Sequence, residues 1–308
     1  KNKKLITFKI PATSANIGSG FDSVGLALNL YNEIHIYEND NSKKIEFEIF
    51  GEGENEISKK DNMIYSAMKL VFKKLKSKPN KGYIIKCINR IPISRGLGSS
   101  SAAIIGGLLC ANYMLGDKLS IEKDILNMAV QIEGHPDNVA PAILGGIVSG
   151  VVKKEEDFKY IKIKPPKNLK AIVSIPDFYL STEIARNILP KEITRKDAIF
   201  NISRAALLTS ALFSNRLDLL EIATEDKIHQ DYRAKFIPNL NQLFKETKKA
   251  GAYSVTISGA GSSILALAKD DKNIIEKVSK AMHYSFKKKN INSVIKVLNI
   301  PTKGIIID

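Results

Sequence analysis

Residues 92–102, Pro92-Ile93-Ser94-Arg95-Gly96-Leu97-Gly98-Ser99-Ser100-Ser101-Ala102, constrain the fold of this chain more than any other stretch. A β-rich run over 83–89 leads into them and an apolar run over 102–115 leads out, so a strand must turn abruptly into a helix. Gly96 and Gly98 allow the tight backbone, and the serines open the helix. That geometry aims several backbone N–H groups and the positive end of a helix dipole at one point, which suits a phosphate chain. The serine hydroxyls add donors and can ligate Mg²⁺. The stretch is not a Walker loop, and it is not G-x-G-x-x-G, because Ser101 stands where the last glycine would be. The competing reading is a Gly-Ser turn that only introduces a core helix.

Composition narrows the class. With 308 residues, 44% hydrophobic and 26% charged, the chain can build one large or two medium cores and is not disordered. Cys87 and Cys110 sit in apolar runs, which predicts buried thiols in a reducing compartment. Residues 97–115 carry no charge, but only 102–115 is dominated by apolar residues, short of the ~20 that span a bilayer. A buried helix, a cytoplasmic protein without a signal peptide, and no membrane are therefore expected. The net charge of +15 raises the question of nucleic acid. The clusters Lys73-Lys74, Lys153-Lys154 and Lys287-Lys288-Lys289 are not interleaved with stacking aromatics, and no nucleic-acid-binding signature is present. They read as a solvated face, whose field would also draw in a polyanion such as ATP.

Strands are predicted where Ile6, Phe8 and Ile10, Ile34 and Ile36, and Ile45, Phe47 and Ile49 alternate with polar residues. Asp61 is read as the cap of a helix burying Ile64, Ala67, Met68, Val71, Phe72 and Leu75. Ser120 is read as the cap of another, with Ile121, Ile125, Met128, Ala129 and Ile132 inward. Lys164-Pro165-Pro166-Lys167 is the best boundary, dividing the chain into 1–164 and 165–308. Beyond it the pattern gives strands at 171–175, 254–258, 264–268 and 294–298, and helices at 193–214, 239–250 and 271–287.

Two further segments attract chemistry. Residues 11–22 (Pro-Ala-Thr-Ser-Ala-Asn-Ile-Gly-Ser-Gly-Phe-Asp) are crowded with small and polar types after a strand. Taken alone they fit a turn as well as a site in which Asn16 and Asp22 offer hydrogen-bonding groups. Glu133-Gly134-His135-Pro136-Asp137-Asn138 closes an amphipathic helix, and its clustering beside a phosphate loop points to Mg²⁺ ligation by Glu133.

Together these three segments resemble the homoserine kinases of the galactokinase–homoserine kinase–mevalonate kinase–phosphomevalonate kinase superfamily. Residues 92–102 look like the superfamily's ATP motif, while 11–28 and 134–141 look like homoserine kinase signatures. Ser181-Thr182-Glu183-Ile184-Ala185-Arg186 and His229-Gln230-Asp231-Tyr232-Arg233-Ala234-Lys235 resemble two more of the family's segments. The late loop Ser258-Gly259-Ala260-Gly261-Ser262-Ser263 resembles the third superfamily motif, with Ser262 where proline is usual; an ordinary turn is its alternative reading.

The resemblance implies an α+β fold of two domains: a ribosomal-protein-like ATP-binding domain with a left-handed β-α-β crossover, and a ferredoxin-like substrate-side domain. It implies an ATP-dependent kinase acting on L-homoserine, with Pro92, Ile93, Ser94, Arg95, Gly96, Leu97, Gly98, Ser99, Ser100, Ser101 and Ala102 at the nucleotide. Asn16, Asp22, His135, Arg186 and Arg233 would hold the amino acid, with Arg186 alternatively stabilising phosphoryl charge. Ser100 and Glu133 would hold Mg²⁺, and His229 is structural or functional. Mevalonate kinases carry a proposed aspartate base seven residues before a Gly-Gly pair; counting back from Gly145-Gly146 gives Asn138 here. An amide cannot take a proton, so catalysis without a strong protein base is expected, with Asn138 orienting the hydroxyl. Another kinase of the superfamily, for mevalonate or shikimate, is the alternative within the class, and a nucleic-acid-binding protein the alternative outside it. The oligomeric state stays open, a homodimer included.

Overall fold

The computed structural model describes residues 3–153 and 157–308; Lys154 of the Lys153-Lys154 cluster lies outside them. The first sheet contains β1 (Lys4–Ala15), β2 (Val24–Asn39), β3 (Ile45–Gly51), β4 (Gly82–Asn89), β5 (Ile147–Val152) and β6 (Phe158–Ile163). Between them run α1 (Met63–Lys74), α2 (Ser99–Met114), α3 (Leu126–Glu133) and α4 (Pro136–Leu144). The second sheet begins with β7 (Leu169–Pro176). After it come α5 (Thr182–Asn187), α6 (Arg195–Phe213), α7 (Leu220–Ala223), α8 (Gln230–Arg233) and α9 (Leu240–Lys249). The sheet is completed by β8 (Ala252–Ile257), β9 (Ile264–Lys269), α10 (Lys272–Lys287) and β10 (Ser293–Leu298). Last comes β11 (Ile306–Ile307), which returns to the first sheet and pairs with β1.

Strand order in the first sheet is β11-β1-β2-β4-β3, with β5 pairing both β2 and β6. Its one parallel pair among the described residues, β3 with β4, is joined through α1 and so forms the β-α-β unit. The second sheet runs β10-β7-β9-β8 and is antiparallel, in the β-α-β-β-α-β order of a ferredoxin-like sandwich. The predicted boundary at 164/165 falls between β6 and β7, while residues 306–307 lie back on the first sheet.

Alternation explains how the second sheet serves two cores. On β7, Ala171, Val173 and Ile175 face the large core shared with the first sheet, while Ile172 faces a second core under α9 and α10. On β9, Leu265 and Leu267 face the first, and Ile264, Ala266 and Ala268 the second.

Helix α2 is apolar on every side because it runs through the first core, burying Ile104, Ile105, Leu108, Leu109, Cys110 and Ala111. Gly107 lets α1 approach: a Cβ there would lie 2.2 Å from the Ile64 carbonyl oxygen. Among the described residues no helix is long and apolar enough to cross a membrane. Both cysteines are buried and unpaired, and burial pushes the Cys87 thiol up to about 12.

Four local expectations need correction. Asn62, not Asp61, caps α1, its carboxamide accepting from the Tyr65 N–H. Ser120 makes no side-chain cap; a π-helical turn over Ile121–Ile125 precedes α3, and Asp124 accepts from the Ser120 N–H. Ile132 faces outward at 37% exposure, because α3 ends one residue later and its last turn leaves the core. The first five residues of segment 11–22 continue β1, so the loop starts only at Asn16.

Candidate active site

At the turn that opens α2, Gly98 stands at φ 73 immediately before the helix, and no side chain caps it. The first N–H groups of a 16-residue helix are thereby left for a ligand. A Cβ on Gly98 would lie 2.1 Å from Thr13 Oγ1, so only glycine satisfies both the left-handed backbone and the packing. Two distant segments, around Thr13 and over 258–263, are stitched to the turn by three hydrogen bonds. The Thr13 N–H donates to the Leu97 carbonyl at 3.1 Å, Ser258 Oγ to the Gly96 carbonyl at 2.7 Å, and the Ser263 N–H to the Arg95 carbonyl at 3.1 Å. Ser14 and Ser258 hydroxyls meet at 2.8 Å, and the Gly259 N–H donates to the Ala15 carbonyl. The loop in which Ser262 replaces proline is thus the buttress of the phosphate turn, and Ser262 Oγ itself donates to the Phe178 carbonyl at 2.7 Å.

The cleft, about 320 Å³, is lined by the whole 92–100 run and Ala102, together with Asn16, Asp22, Glu133, His135, Asp137, Asn138, Arg186 and Arg233. Ser101 is fully buried on the inner side of α2. Gly134 at φ 84 ends α3 and Pro136 opens α4, so the chain reverses between Glu133 and His135 and leaves both beside the turn. Ser100 Oγ donates to Glu133 Oε2 at 3.5 Å. Burial pushes the Glu133 carboxyl above its ordinary value, against the opposing pull of His135 and the serine hydroxyls. A half-buried carboxylate next to an exposed hydroxyl is an oxygen pair that fits a hard divalent cation.

The other end is made of charged side chains. Asp22 takes Arg186 in a two-pronged grip, Nη1 to Oδ2 at 3.1 Å and Nη2 to Oδ1 at 2.9 Å. His135 Nδ1 meets Asp137 Oδ1 at 2.5 Å. Burial opposes charge on that imidazole, but the Asp137 hydrogen bond and charge outweigh it and leave the value raised. The ligand atoms of Asp22, His135 and Asp137 lie within 4.8 Å of one another. Because Arg186 takes both Asp22 oxygens, we read this trio as part of a clamp for a charged organic molecule and not as a metal nest. Arg233, 2% exposed, gives Nε to the Ala185 carbonyl and Nη1 to the Gly259 carbonyl, each at 3.0 Å. Burial, reinforced by the charge of Arg186, lowers its value to about 10.

Asn16, at φ 71, accepts from the Asp22 N–H and donates to the Gly259 carbonyl; it shapes the loop that carries Asp22. Ile17 beside it is held at φ 45, a rare backbone for a β-branched residue and a sign of local strain in the cleft wall. Asn138 stands between the two ends. Its Oδ1 accepts from Thr13 Oγ1 at 2.8 Å, so its N–H₂ donors are the part left to the cleft it lines.

Every sequence-predicted site residue except Ser101 therefore lines one cleft. Sequence reading missed Thr13, although it lies inside a flagged segment. It also missed Phe21, whose ring stacks on His229 at 5.1 Å, and the buried Asn201–Asp226 pair, 25 residues apart with no pattern to announce it.

Comparison with known proteins supplies first the class. The family model for the GHMP kinases N terminal domain matches residues 62–146, and that for the GHMP kinases C terminal matches 208–284. Among curated proteins, the homoserine kinase of Carboxydothermus hydrogenoformans is 43% identical, covering 88% of this chain and 87% of its own. That of Halothermothrix orenii is 42% identical over 98% of this chain and 96% of its own. The crystal structure of homoserine kinase from Cytophaga hutchinsonii superposes with a TM-score of 0.88 at 29% identity, covering 98% of this chain and 97% of that one. Mevalonate kinase from Methanococcus jannaschii, at 17% identity and TM-score 0.69 over 97% of this chain and 99% of that one, shares the fold. The chain belongs to the homoserine kinase family of the GHMP kinases.

Proposed function

We propose that the chain transfers the γ-phosphate of ATP to the side-chain hydroxyl of L-homoserine, giving O-phospho-L-homoserine in threonine biosynthesis. The observation that supports this most is the meeting, in one cleft, of an uncapped helix N-terminus with a clamp of carboxylate, imidazole and guanidinium groups suited to a zwitterion. The N–H groups of Gly96–Ser101 hold the terminal phosphates of ATP, where the α2 dipole favours negative charge. Ser100 and Glu133 would hold Mg²⁺, which when bound neutralises charge on the β- and γ-phosphates.

At the acceptor end Asp22 takes the ammonium group and Arg233 the carboxylate. Arg186, steadied by Asp22, faces either the carboxylate or the phosphoryl charge. Asn138, fixed by Thr13, orients the acceptor hydroxyl. Its amide takes no proton, so the chain's contribution is positioning and charge neutralisation in front of a loose transition state that needs little deprotonation. In this reading residues 1–164 bind ATP, residues 165–308 form the substrate side, and the enzyme works on soluble metabolites in the cytoplasm.

A coupled ADP-release assay across homoserine, mevalonate, shikimate and galactose tests the proposal. Turnover with homoserine alone is expected. Turnover with mevalonate or shikimate and none with homoserine overturns it.

A further inference from the structure

We propose that His229 is the positioning residue that fixes the Arg233 guanidinium and, through it, the enzyme's selection for a free α-carboxylate. The inference rests on the homoserine kinase reading of the cleft and goes beyond it to a residue that reaches no ligand itself.

The geometry assigns His229 one tautomer. Its Nε2 lies 2.9 Å from the Gly18 carbonyl, which can only accept, so Nε2 carries the proton. Nδ1 is then a lone pair, and it lies 3.1 Å from Arg233 Nη1, which can only donate. The side chain is fully buried; burial keeps the imidazole neutral against the pull of Asp226, and the Arg233 charge adds to that. A neutral acceptor is what a buried guanidinium requires from a neighbour, since an imidazolium there would repel it.

The base of this arrangement is equally determined. Asp226, 6% exposed, accepts from the N–H groups of Ile228, His229 and Gln230 at 3.1, 2.8 and 2.7 Å, and from Asn201 Nδ2 at 2.9 Å. That fixes the start of α8, which His229 immediately precedes and Arg233 ends, and the Arg233 N–H donates to the His229 carbonyl at 3.1 Å. Phe21 covers the other side, its ring stacked on His229 and 5.5 Å from the Arg233 guanidinium. Arg233 thus has Nε on Ala185 and Nη1 on both Gly259 and His229, while Nη2 has no hydrogen-bond partner among the described residues. Nη2 belongs to a side chain that lines the cleft. An arginine ordinarily carries large rotamer freedom; held at three points, it meets a carboxylate without ordering itself first.

Two variants separate the halves of the imidazole. His229→Asn keeps an acceptor near the Nδ1 position, and His229→Phe keeps the ring against Phe21 but removes both hydrogen bonds. Each is assayed with L-homoserine and with 3-aminopropan-1-ol, which is homoserine without its carboxylate. For His229→Phe we expect the KM for homoserine to rise about tenfold, the KM for ATP to stay within about twofold, and the rate with 3-aminopropan-1-ol to stay at the wild-type level. The preference for homoserine over the amino alcohol then collapses, and His229→Asn restores most of it. If both acceptors or the KM for ATP suffer alike in a variant that still unfolds cooperatively, His229 is only a packing residue and the proposal is overturned. It is overturned as well if His229→Phe leaves the homoserine KM unchanged. Absence of wild-type turnover with homoserine would instead sink the underlying reading of the cleft.

Discussion

In the proposed reading the working groups belong to the backbone at the phosphate end of the cleft and to side chains at the amino-acid end. The N–H groups of Gly96 to Ser101 take their direction from the α2 axis and from hydrogen bonds that Thr13, Ser258 and Ser263 donate to the turn. Asp22 is paired with Arg186 and His135 with Asp137, while Arg233 is held by the Ala185 and Gly259 carbonyls and by His229. A backbone site tolerates many side chains but almost no displacement. A side-chain site tolerates displacement better, but it answers to charge, fork geometry and pH.

The sharpest way to break that contrast is to add one methyl group at a residue that has no side chain to lose. Gly98→Ala places a Cβ against Thr13 Oγ1 in a left-handed backbone, so kcat/KM for ATP is expected to fall about a hundredfold or more. A loss below threefold in steady-state kinetics would show that the turn adapts. Next in size is Arg233→Lys, which keeps the charge but loses the fork. The homoserine KM should rise about thirtyfold with the ATP KM little changed, and equal losses for both substrates would contradict the division between the two ends.

Glu133 tests the border between them. Because burial raises its folded value, it takes up a proton at higher pH than a free glutamate does. The charged carboxylate that the proposal assigns to the cation is therefore lost as pH falls through that raised value. kcat should climb with pH over this acid limb; in Glu133→Gln the limb should vanish, with kcat down about tenfold and the Mg²⁺ requirement raised. The smallest effect is expected from Asn138→Asp, within about threefold of wild type. A large gain in turnover would mean that a missing base had been limiting.

The three chemistry-bearing segments were legible in the sequence because glycine, serine and proline at fixed spacing have few structural uses. Helices α1, α9 and α10 were legible because their apolar residues recur on one face. What holds the segments together was not. The bonds from Ser14 to Ser258 and from Asn16 to Gly259 join positions more than 240 residues apart, and no local pattern encodes them. Asn62 and Asp61 are both acceptable caps, and only the direction in which α1 enters the core selects the asparagine. Ile132 follows the same period as Met128 and Ala129, but the Gly134 reversal turns the helix away from the core before that period is completed. His229 could not be assigned from sequence, since a buried imidazole gains meaning only from the carbonyl and the guanidinium on either side of it.

The return of β11 to β1 has a mechanical consequence. Two covalent crossings, 164–168 and 299–305, tie the second sheet to the first, and the later one is laid down on the first sheet through Gly146 N–H to Pro301 and Asn29 N–H to Asn299. With the core the two sheets share, these crossings hold the second sheet to the first at three places, so a cut in the 299–305 crossing should loosen the pair without parting it.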